Sequence, residues 1–259
     1  MLRKSYLIVA LLILSMGILS SCNLPTRQTL QTQTPTPASI TSAVEYTPTP
    51  IVSMCDNVFF PNASGDTWEY SGSNTAIGAY TRTDAVSNSG DKAFTVDSKL
   101  SGVTYPVEYT CTETGLIANN PIQQYLGALL SGPDAPVSIN LISNSGISLP
   151  ATINIGDSWK QTAEWEASGS NFAMNGRFVF NYSAVGYEKI TVLAGTYDAL
   201  RVNATIRIEI SGLRVLAGTY ETTTWMAPNV GVVKSEGTSH VPGVDFSDSL
   251  ELTRYTSVP

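Results

Sequence analysis

Two Gly-Asp turns carry the carboxylates in this chain that could act together in catalysis. Asp66 and Asp157 lie in Gly65-Asp-Thr-Trp68 and Gly156-Asp-Ser-Trp159. Glycoside hydrolysis needs such a pair, one carboxyl as the acid and the other as base or nucleophile. An aspartate in a Gly-Asp turn has a simpler role, because its side chain bonds to the backbone of the turn itself. We expect the turn role for both residues.

The other candidate catalytic or metal-binding groups are isolated. His240, the only histidine, lies in a turn-like Gly-Thr-Ser-His-Val-Pro-Gly segment and lacks the partners that would make it a base. Asp245, Asp248 and Glu251 gather near the end of the chain, but their spacing is not that of a calcium loop. Nucleophile, nucleotide-binding and zinc motifs are absent from the sequence. We therefore expect no catalytic residue, no cofactor, no metal and no enzymatic activity.

The start of the chain has the features of an export signal. A positively charged start is followed by an apolar run from Leu7 to Leu19, and then by Leu19-Ser-Ser-Cys22. This ending resembles the lipobox of bacterial lipoproteins. The resemblance implies cleavage of the signal peptide, residues 1–21, and attachment of palmitate-like acyl chains to Cys22. The alternative is an uncleaved membrane anchor, but the apolar run is short of the ~20 residues that a spanning helix needs.

Composition limits the possible partners and the location. The chain carries a net charge of −7, and removing residues 1–21 takes away Arg3 and Lys4 and leaves about −9. Such an acidic chain is unsuited to nucleic acid and to electrostatic docking on anionic lipid. We expect an extracytoplasmic protein held to a bacterial cell membrane, inner or outer, by its N-terminal lipid. Residues 22–52, rich in Thr, Pro and Gln, are predicted to form a disordered tether.

Only two cysteines remain after Cys22, namely Cys55 and Cys111. In an oxidising compartment two such thiols usually pair. A disulfide would close a loop of 56 residues and stabilise the fold by roughly 4 kcal/mol in the chain-entropy model. A metal or redox role is weaker, because no Cys-x-x-Cys and no neighbouring histidine occur.

The folded part of the chain shows the period of two that is typical of β-strands. The clearest stretch is Val192–Ile210, where apolar and polar residues alternate from Leu200 onward. Short turns join successive strands, which favours antiparallel meanders. Residues 53–118 and 151–259 each open on a Gly-Asp-[Ser/Thr]-Trp turn and are predicted to be the two halves of a tandem β domain. We expect an all-β fold, either a partly open barrel or two packed half-barrels.

The connector, residues 119–150, differs from both halves. Apolar residues from Ile122 to Leu129 have helical spacing, and this predicts one short helix over Pro121–Leu130. The helix could pack on the edge of the sheet or cover the open end of the barrel.

The second half is similar to a poorly characterised family of bacterial envelope β-proteins. The resemblance rests on Gly156–Trp159, on Val192–Ala199 and on Trp225–Lys234, which follow the patterns G-D-x-W, V-P-A-G-x-[FY]-[DE]-[AT] and W-[FY]-A-P-G-V-G-x-V-K. Leu193 replaces the usual Pro, and Asn229 replaces a Gly at a turn, where Asn tolerates left-handed φ. The resemblance implies an antiparallel, partly open barrel in a lipoprotein or secreted protein, and it implies no catalytic residues.

A partly open barrel has a concave mouth, the usual ligand position in β-barrels. We predict that Tyr125 and Leu126 cover this mouth and that Trp165 is exposed at it. The sequence thus indicates an envelope lipoprotein that is a binding or structural module for an apolar ligand, a lipid or an envelope protein. The alternative is a carboxylate-dependent hydrolase of envelope or extracellular glycans.

Overall fold

The computed structural model describes residues 53–100, 102–121, 138–169, 172–211, 216–243 and 245–258. These residues form strands, turns and bends and contain no α-helix, so nothing in this part of the chain has the length and hydropathy of a membrane-spanning helix. The predicted signal peptide, Cys22, the tether and nearly all of the predicted Pro121–Leu130 helix lie outside the described residues. The strands are β1 (Thr67–Asn74), β2 (Gly78–Ser89), β3 (Ala93–Leu100), β4 (Val103–Thr112), β5 (Gly115–Ala118), β6 (Ser138–Gly146), β7 (Leu149–Pro150), β8 (Ser158–Gly169), β9 (Phe172–Val192), β10 (Gly195–Ser211), β11 (Leu216–Ala227), β12 (Gly231–His240) and β13 (Phe246–Thr256).

All thirteen strands of the described part join one antiparallel sheet. Its order is β6-β8-β9-β10-β11-β12-β13-β1-β2-β3-β4-β5-β7, so most neighbours in space are also consecutive in the chain. The prediction of an all-β antiparallel meander is confirmed. The first and last strands meet in the middle of the sheet, where β1 pairs with β13. The sheet stays open between β6 and β7.

The connector contains a strand that the sequence analysis missed. β6 is polar, with Ile139 and Leu141 as its alternating apolar residues before a bulge between Leu141 and Ser143. Five Ser and Asn residues in nine gave it the composition of a loop. Pairing with β8 makes it a strand. The connector, residues 119–150, for which only the helix over Pro121–Leu130 was predicted, therefore also contains a strand.

A polar clasp joins the two open edges. The backbone N–H of Ile147 donates to Lys160 on β8, and that of Ser148 donates to Leu116 on β5, so two successive residues bridge strands from opposite ends of the sheet. Gln161, which is fully buried, accepts from the Ser148 hydroxyl at 2.6 Å and donates to the Ala118 carbonyl at 3.0 Å. The sheet must curl round to bring these edges together, and its inner face becomes the core.

The inner face shows the alternation that was predicted for Val192–Ile210. On β10, Leu200, Val202, Ala204 and Ile206 are buried, whereas the residues between them are more exposed. The largest cluster of buried apolar side chains includes residues of both halves, and a second cluster gathers round Trp165 and Phe178. We call the face of the sheet that carries these side chains the inner face and the opposite one the outer face.

The structure contains the disulfide expected between Cys55 and Cys111, with a Cα–Cα distance of 4.9 Å. Both cysteines are buried. The bridge fixes the segment that precedes β1 to the end of β4, three strands away in the sheet. It therefore staples the entry of the folded domain to its first half.

Candidate functional site: a polar trough on the outer face

The two turn carboxylates are used by their own turns. The Asp66 side chain accepts from the backbone N–H groups of Ala63 at 3.2 Å and Val258 at 2.9 Å. The Asp157 side chain accepts from the backbone N–H of Asn154 at 2.7 Å. These bonds explain both aspartates structurally, in keeping with the turn role expected from the sequence.

Of the three residues predicted at the apolar mouth, only Trp165 lies in the described part of the chain. Trp165 is fully buried, so the expectation that it would be exposed was wrong. Its indole lies over Gly176 on β9, where a Cβ atom would come within 2.6 Å of the ring, and Phe178 packs beside it with the ring centroids 6.3 Å apart. The other two predicted mouth residues, Tyr125 and Leu126, lie outside the described residues.

The inner face also carries a buried ion pair. Arg82 contacts Asp84 through both nitrogens of one guanidinium edge, at 2.8 and 2.7 Å, and Ser98 donates to the same carboxylate at 2.5 Å. Asp84 and Ser98 are buried, and Arg82 lies 5.8 Å from the centre of the Tyr70 ring. Burial lowers the pKa of Arg82, but the charge and hydrogen bond of Asp84, together with Tyr70 and Tyr109, outweigh it, so the pKa is raised. Because every member is paired, this cluster fills the interior and leaves no open charge there.

A second carboxylate is held at the edge of the inner face. Both oxygens of Asp248 accept from the Tyr80 hydroxyl, at 3.1 and 3.0 Å, and one of them accepts from Asn74 at 3.1 Å. The Tyr80 ring lies directly over Gly72, the one residue type without a side chain to obstruct it. Burial raises the pKa of Asp248, although the hydrogen bonds oppose the shift. Burial and the Asp248 charge also raise the pKa of Tyr80.

A broad hollow lies on the outer face of the sheet. It has a volume of about 800 Å³ and crosses β10, β11, β12, β13 and β1. Hydroxyl, amide and carboxylate side chains dominate its lining, which consists of Ser73, Thr75, Asn203, Ala204, Thr205, Glu221, Thr222, Thr223, Glu236, Gly237, Thr238, His240, Ser247, Asp248 and Ser249.

A second hollow of about 490 Å³ continues the first across β8 and β9. The two share residues 203–205 of β10, so together they form one depression across seven neighbouring strands, which we call the outer trough. The second hollow is lined by Ser158, Trp159, Lys160, Asn181, Tyr182, Ser183, Asn203, Ala204 and Thr205. Trp159 and Tyr182 are in register with Ala204, so their side chains point to the inner face, where the two rings stack with centroids 5.3 Å apart.

Hydrogen bonds within the trough orient some of its polar groups. The Thr223 hydroxyl donates to the Asn203 carbonyl oxygen at 3.2 Å, which leaves the amide NH₂ of Asn203 available as a donor. Glu236 pairs with Lys234 at 2.9 Å, and this hydrogen bond is the main reason why the pKa of Lys234 is raised. Glu221 is exposed, so its carboxylate is available as an acceptor.

A charged row borders the trough on the outer face. Arg201, Trp225 and Lys234 are cross-strand neighbours on β10, β11 and β12. Glu188 contacts Arg201 and also accepts from the Trp225 indole at 2.9 Å. Lys234 lies 5.5 Å from the centre of the Trp225 ring. The charged groups of this row contact one another and Trp225, and these contacts hold the side chains at this end of the trough in place.

Sequence reasoning missed the trough because each outer-face row looks like an ordinary solvated strand face. His240, the isolated histidine, lines it, whereas Asp248 only borders it, because its side chain is bonded to Tyr80 and Asn74 at the inner face. The described residues contain no cluster of three or more metal-ligating side chains. The signal that was available was the unusual run of Thr and Ser on β11, β12 and β13, but only strand order and register place those rows side by side.

The fold is shared with two solved bacterial structures. A candidate exported protein with a YmcC-like fold from Bacteroides fragilis NCTC 9343 is 15% identical, with a TM-score of 0.53, and the match covers 78% of this chain and all of that one. A candidate lipoprotein from Parabacteroides distasonis ATCC 8503 is 16% identical, with a TM-score of 0.51, covering 78% of this chain and 99% of the other. The chain thus has the fold of proteins described as exported or as lipoproteins.

Within that fold, residues 139–240 match the model of the DUF3108-like family. The matched region runs from β6 to the end of β12 and includes most of the lining of the trough. No curated protein matches the chain.

Proposed function

We propose that this protein is a lipid-anchored envelope module that binds a hydrophilic partner in its outer trough and does no chemistry on it. Leu19-Ser-Ser-Cys22 supports the anchor, and the fold shared with proteins described as exported or as lipoproteins supports an extracytoplasmic location. The trough is the observation on which the binding role rests.

Two properties of the described residues favour a binding role over a purely structural role. The inner face carries most of the large buried apolar side chains and the paired charges, so the polar trough residues are not needed to fill the core. The outer face nevertheless carries a depression across seven strands. A concave surface with convergent polar groups is the usual form of a recognition site.

The lining favours a hydrophilic partner over the apolar ligand that the sequence analysis also considered. An apolar ligand requires apolar walls, whereas hydroxyl, amide and carboxylate groups line most of the trough. An apolar site beneath Tyr125 and Leu126 stays a prediction, because those residues lie outside the described part of the chain.

The anchor is tested by changing Cys22 to Ser in the full-length protein. We expect this variant to leave the membrane fraction, while Ser20→Ala, which keeps a small residue before the cysteine, stays membrane-bound. Intact mass of the extracted wild type should show an acylated chain that begins at Cys22. A Cys22→Ser protein that still partitions with membranes after cleavage would contradict the lipid anchor.

A hydrolase is the second candidate, and one feature of the trough favours it. Register places Glu221 opposite Thr238, and Glu236 opposite Thr223, so the two glutamates are diagonal neighbours on β11 and β12. Such neighbours have Cα atoms roughly 7–8 Å apart, a spacing compatible with the roughly 6.5–9.5 Å between the carboxyl groups of inverting glycosidases. New reducing ends released from a glycan by the wild type but not by Glu221→Gln would establish this activity.

A further inference from the structure

We infer that the partner of the outer trough is an uncharged glycan chain. This deepens the proposed function, since it assumes that the trough is a binding site and names the chemistry of its occupant. The argument rests on the donors and acceptors of the lining, on its small net charge and on its length.

The free polar groups of the trough suit sugar hydroxyls. A sugar hydroxyl both donates and accepts, so it needs donors and acceptors side by side. Asn203 offers its amide NH₂, because its oxygen is already bonded to Thr223. Glu221 offers acceptor oxygens nearby, and the exposed Thr205 offers a hydroxyl that can do either.

The charge of the trough excludes polyanions and is too weak for a strongly basic partner. Lys160 is the only Lys or Arg in the described lining, whereas binding a phosphate or sulfate polymer requires several. The acids are largely occupied, because Glu236 pairs with Lys234, and Asp248 is bonded to Tyr80 and Asn74. Glu221 and Glu236 are both exposed, but Glu236 is already paired with Lys234, so Glu221 is the acid left for a ligand and a neutral ligand fits best.

The length of the trough suits a chain better than a single sugar. It crosses seven strands, and neighbouring strands lie about 4.8 Å apart, which gives roughly 30 Å from β8 to β1. Ser158, Lys160, Asn181 and Ser183 line the β8 end and offer further donors and acceptors to sugar hydroxyls. Curved β surfaces of other folds bind oligosaccharides across their strands in the same manner.

The test applies full-length protein, purified from membranes in detergent, to an array of neutral and acidic oligosaccharides, with a lysine-rich peptide as a charge control. Hits are then titrated by calorimetry. Thr205→Tyr places a bulky side chain at the junction of the two hollows and should weaken binding of a neutral oligosaccharide by about tenfold or more. Thr104→Tyr makes the same change at an exposed site of β4 outside the trough and should leave binding unchanged.

Asn203→Asp is the second variant, because it keeps the shape of the side chain and removes the amide donor. It should also weaken neutral glycan binding by about tenfold, with an unchanged melting temperature. Absence of any neutral hit with the wild type, equal binding by Thr205→Tyr, or binding of the acidic sugars or the peptide alone would overturn the inference. Each of these results leaves the membrane anchor intact, whereas cleavage of a bound glycan would contradict the non-enzymatic function and support the glycan site.

Discussion

The same Gly-Asp-x-Trp turn occurs twice in this molecule, once sealed in the interior and once at its surface. In the first, the N–H of Gly65 donates to Val86 and the N–H of Val86 donates to Asp66. In the second, Gly156 and Asp157 make the equivalent bonds with Ala184. The backbone pattern is therefore identical, and the difference between the two turns comes from what packs on them.

The two turns differ in the residues that pack on them. Asp66 is 2% exposed and Trp68 is 4% exposed, and Trp68 stacks on Tyr255 of β13. Asp157 and Trp159 are both only partly buried, and Trp159 stacks on Tyr182 of β9 instead. The first turn is held by the C-terminal strand, 170 or more residues away in the chain, whereas the second is held by the next strand. A local motif thus makes the same turn in both places, and its contribution to stability depends on its neighbours.

The largest effect should come from the disulfide, which only the first half possesses. Changing both Cys55 and Cys111 to Ala should lower the free energy of unfolding by roughly 4 kcal/mol, because the unfolded chain regains a loop of 56 residues. Urea unfolding monitored by tryptophan fluorescence measures it. Wild-type protein with a reductant is the matched control, and an unchanged midpoint in both would show that the first turn is stable without its staple.

The next largest effect should be the difference in stability lost when each of the two tryptophans is changed to Ala. Trp68→Ala should cost about 3 kcal/mol, because it empties a buried site and leaves the Val230 carbonyl without its 2.5 Å indole donor. Trp159→Ala should cost roughly half as much, since its indole is partly exposed. Equal losses in thermal or urea unfolding would mean that the surface turn is packed as tightly as the interior one.

The two aspartates should differ in the same direction, with smaller losses of stability. Asp66→Ala removes the acceptor of two backbone N–H groups at a buried position and should cost about 2 kcal/mol. Asp157→Ala should cost about 1 kcal/mol, because water can satisfy the exposed Asn154 N–H. Urea midpoints at neutral pH give both values, and a larger loss for Asp157 would reverse the comparison.

Asp248 should give the smallest effect, visible as a pH dependence. Burial raises its folded-state pKa, so the folded protein holds the proton more tightly than the unfolded chain does. Stability from this group is complete below about pH 3.8 and is lost as the pH rises through the folded value. Asp248→Asn lacks this loss, and its stability relative to wild type should therefore increase between pH 3 and pH 7.

The matched control for Asp248 is Asp245→Asn, because the side chain of Asp245 is exposed. Its stability difference from wild type should not follow this curve. Urea unfolding of all three proteins at several pH values gives the comparison. A difference between Asp248→Asn and wild type that stays constant with pH would show that Asp248 titrates alike in the folded and unfolded chains.

Local patterns predicted local structure well in this protein. The alternation predicted from Leu200 onward is present on β10, and Asn229 has the left-handed φ expected of it, 61°. Both depend on the residues themselves and on their immediate neighbours. Identical sequences can still form different structures, however, because Val192-Leu-Ala-Gly-Thr-Tyr197 recurs as Val215-Leu-Ala-Gly-Thr-Tyr220. The first copy spans the turn between β9 and β10, whereas Leu216–Tyr220 of the second lies within β11.

Features that depend on register were not predictable. Trp165 was expected to be exposed because Glu166 follows it, but a glycine on the neighbouring strand makes room for its ring inside. The outer trough likewise combines rows from seven strands whose order and register no single strand reveals. Period two assigns a residue to a face and leaves its cross-strand neighbours undetermined.

The disulfide has a mechanical consequence for the N-terminal lipid anchor that we propose. Tension applied to the chain before residue 53 reaches Cys55 first and passes through the bridge to Cys111 on β4. The 55 residues between the two cysteines, which include all of β1, β2 and β3, form a covalent loop that carries none of the load. Pulling the tether therefore cannot unzip β1 from the end of the chain, and a force experiment should record an extension shorter by the length of that loop until a reductant is added.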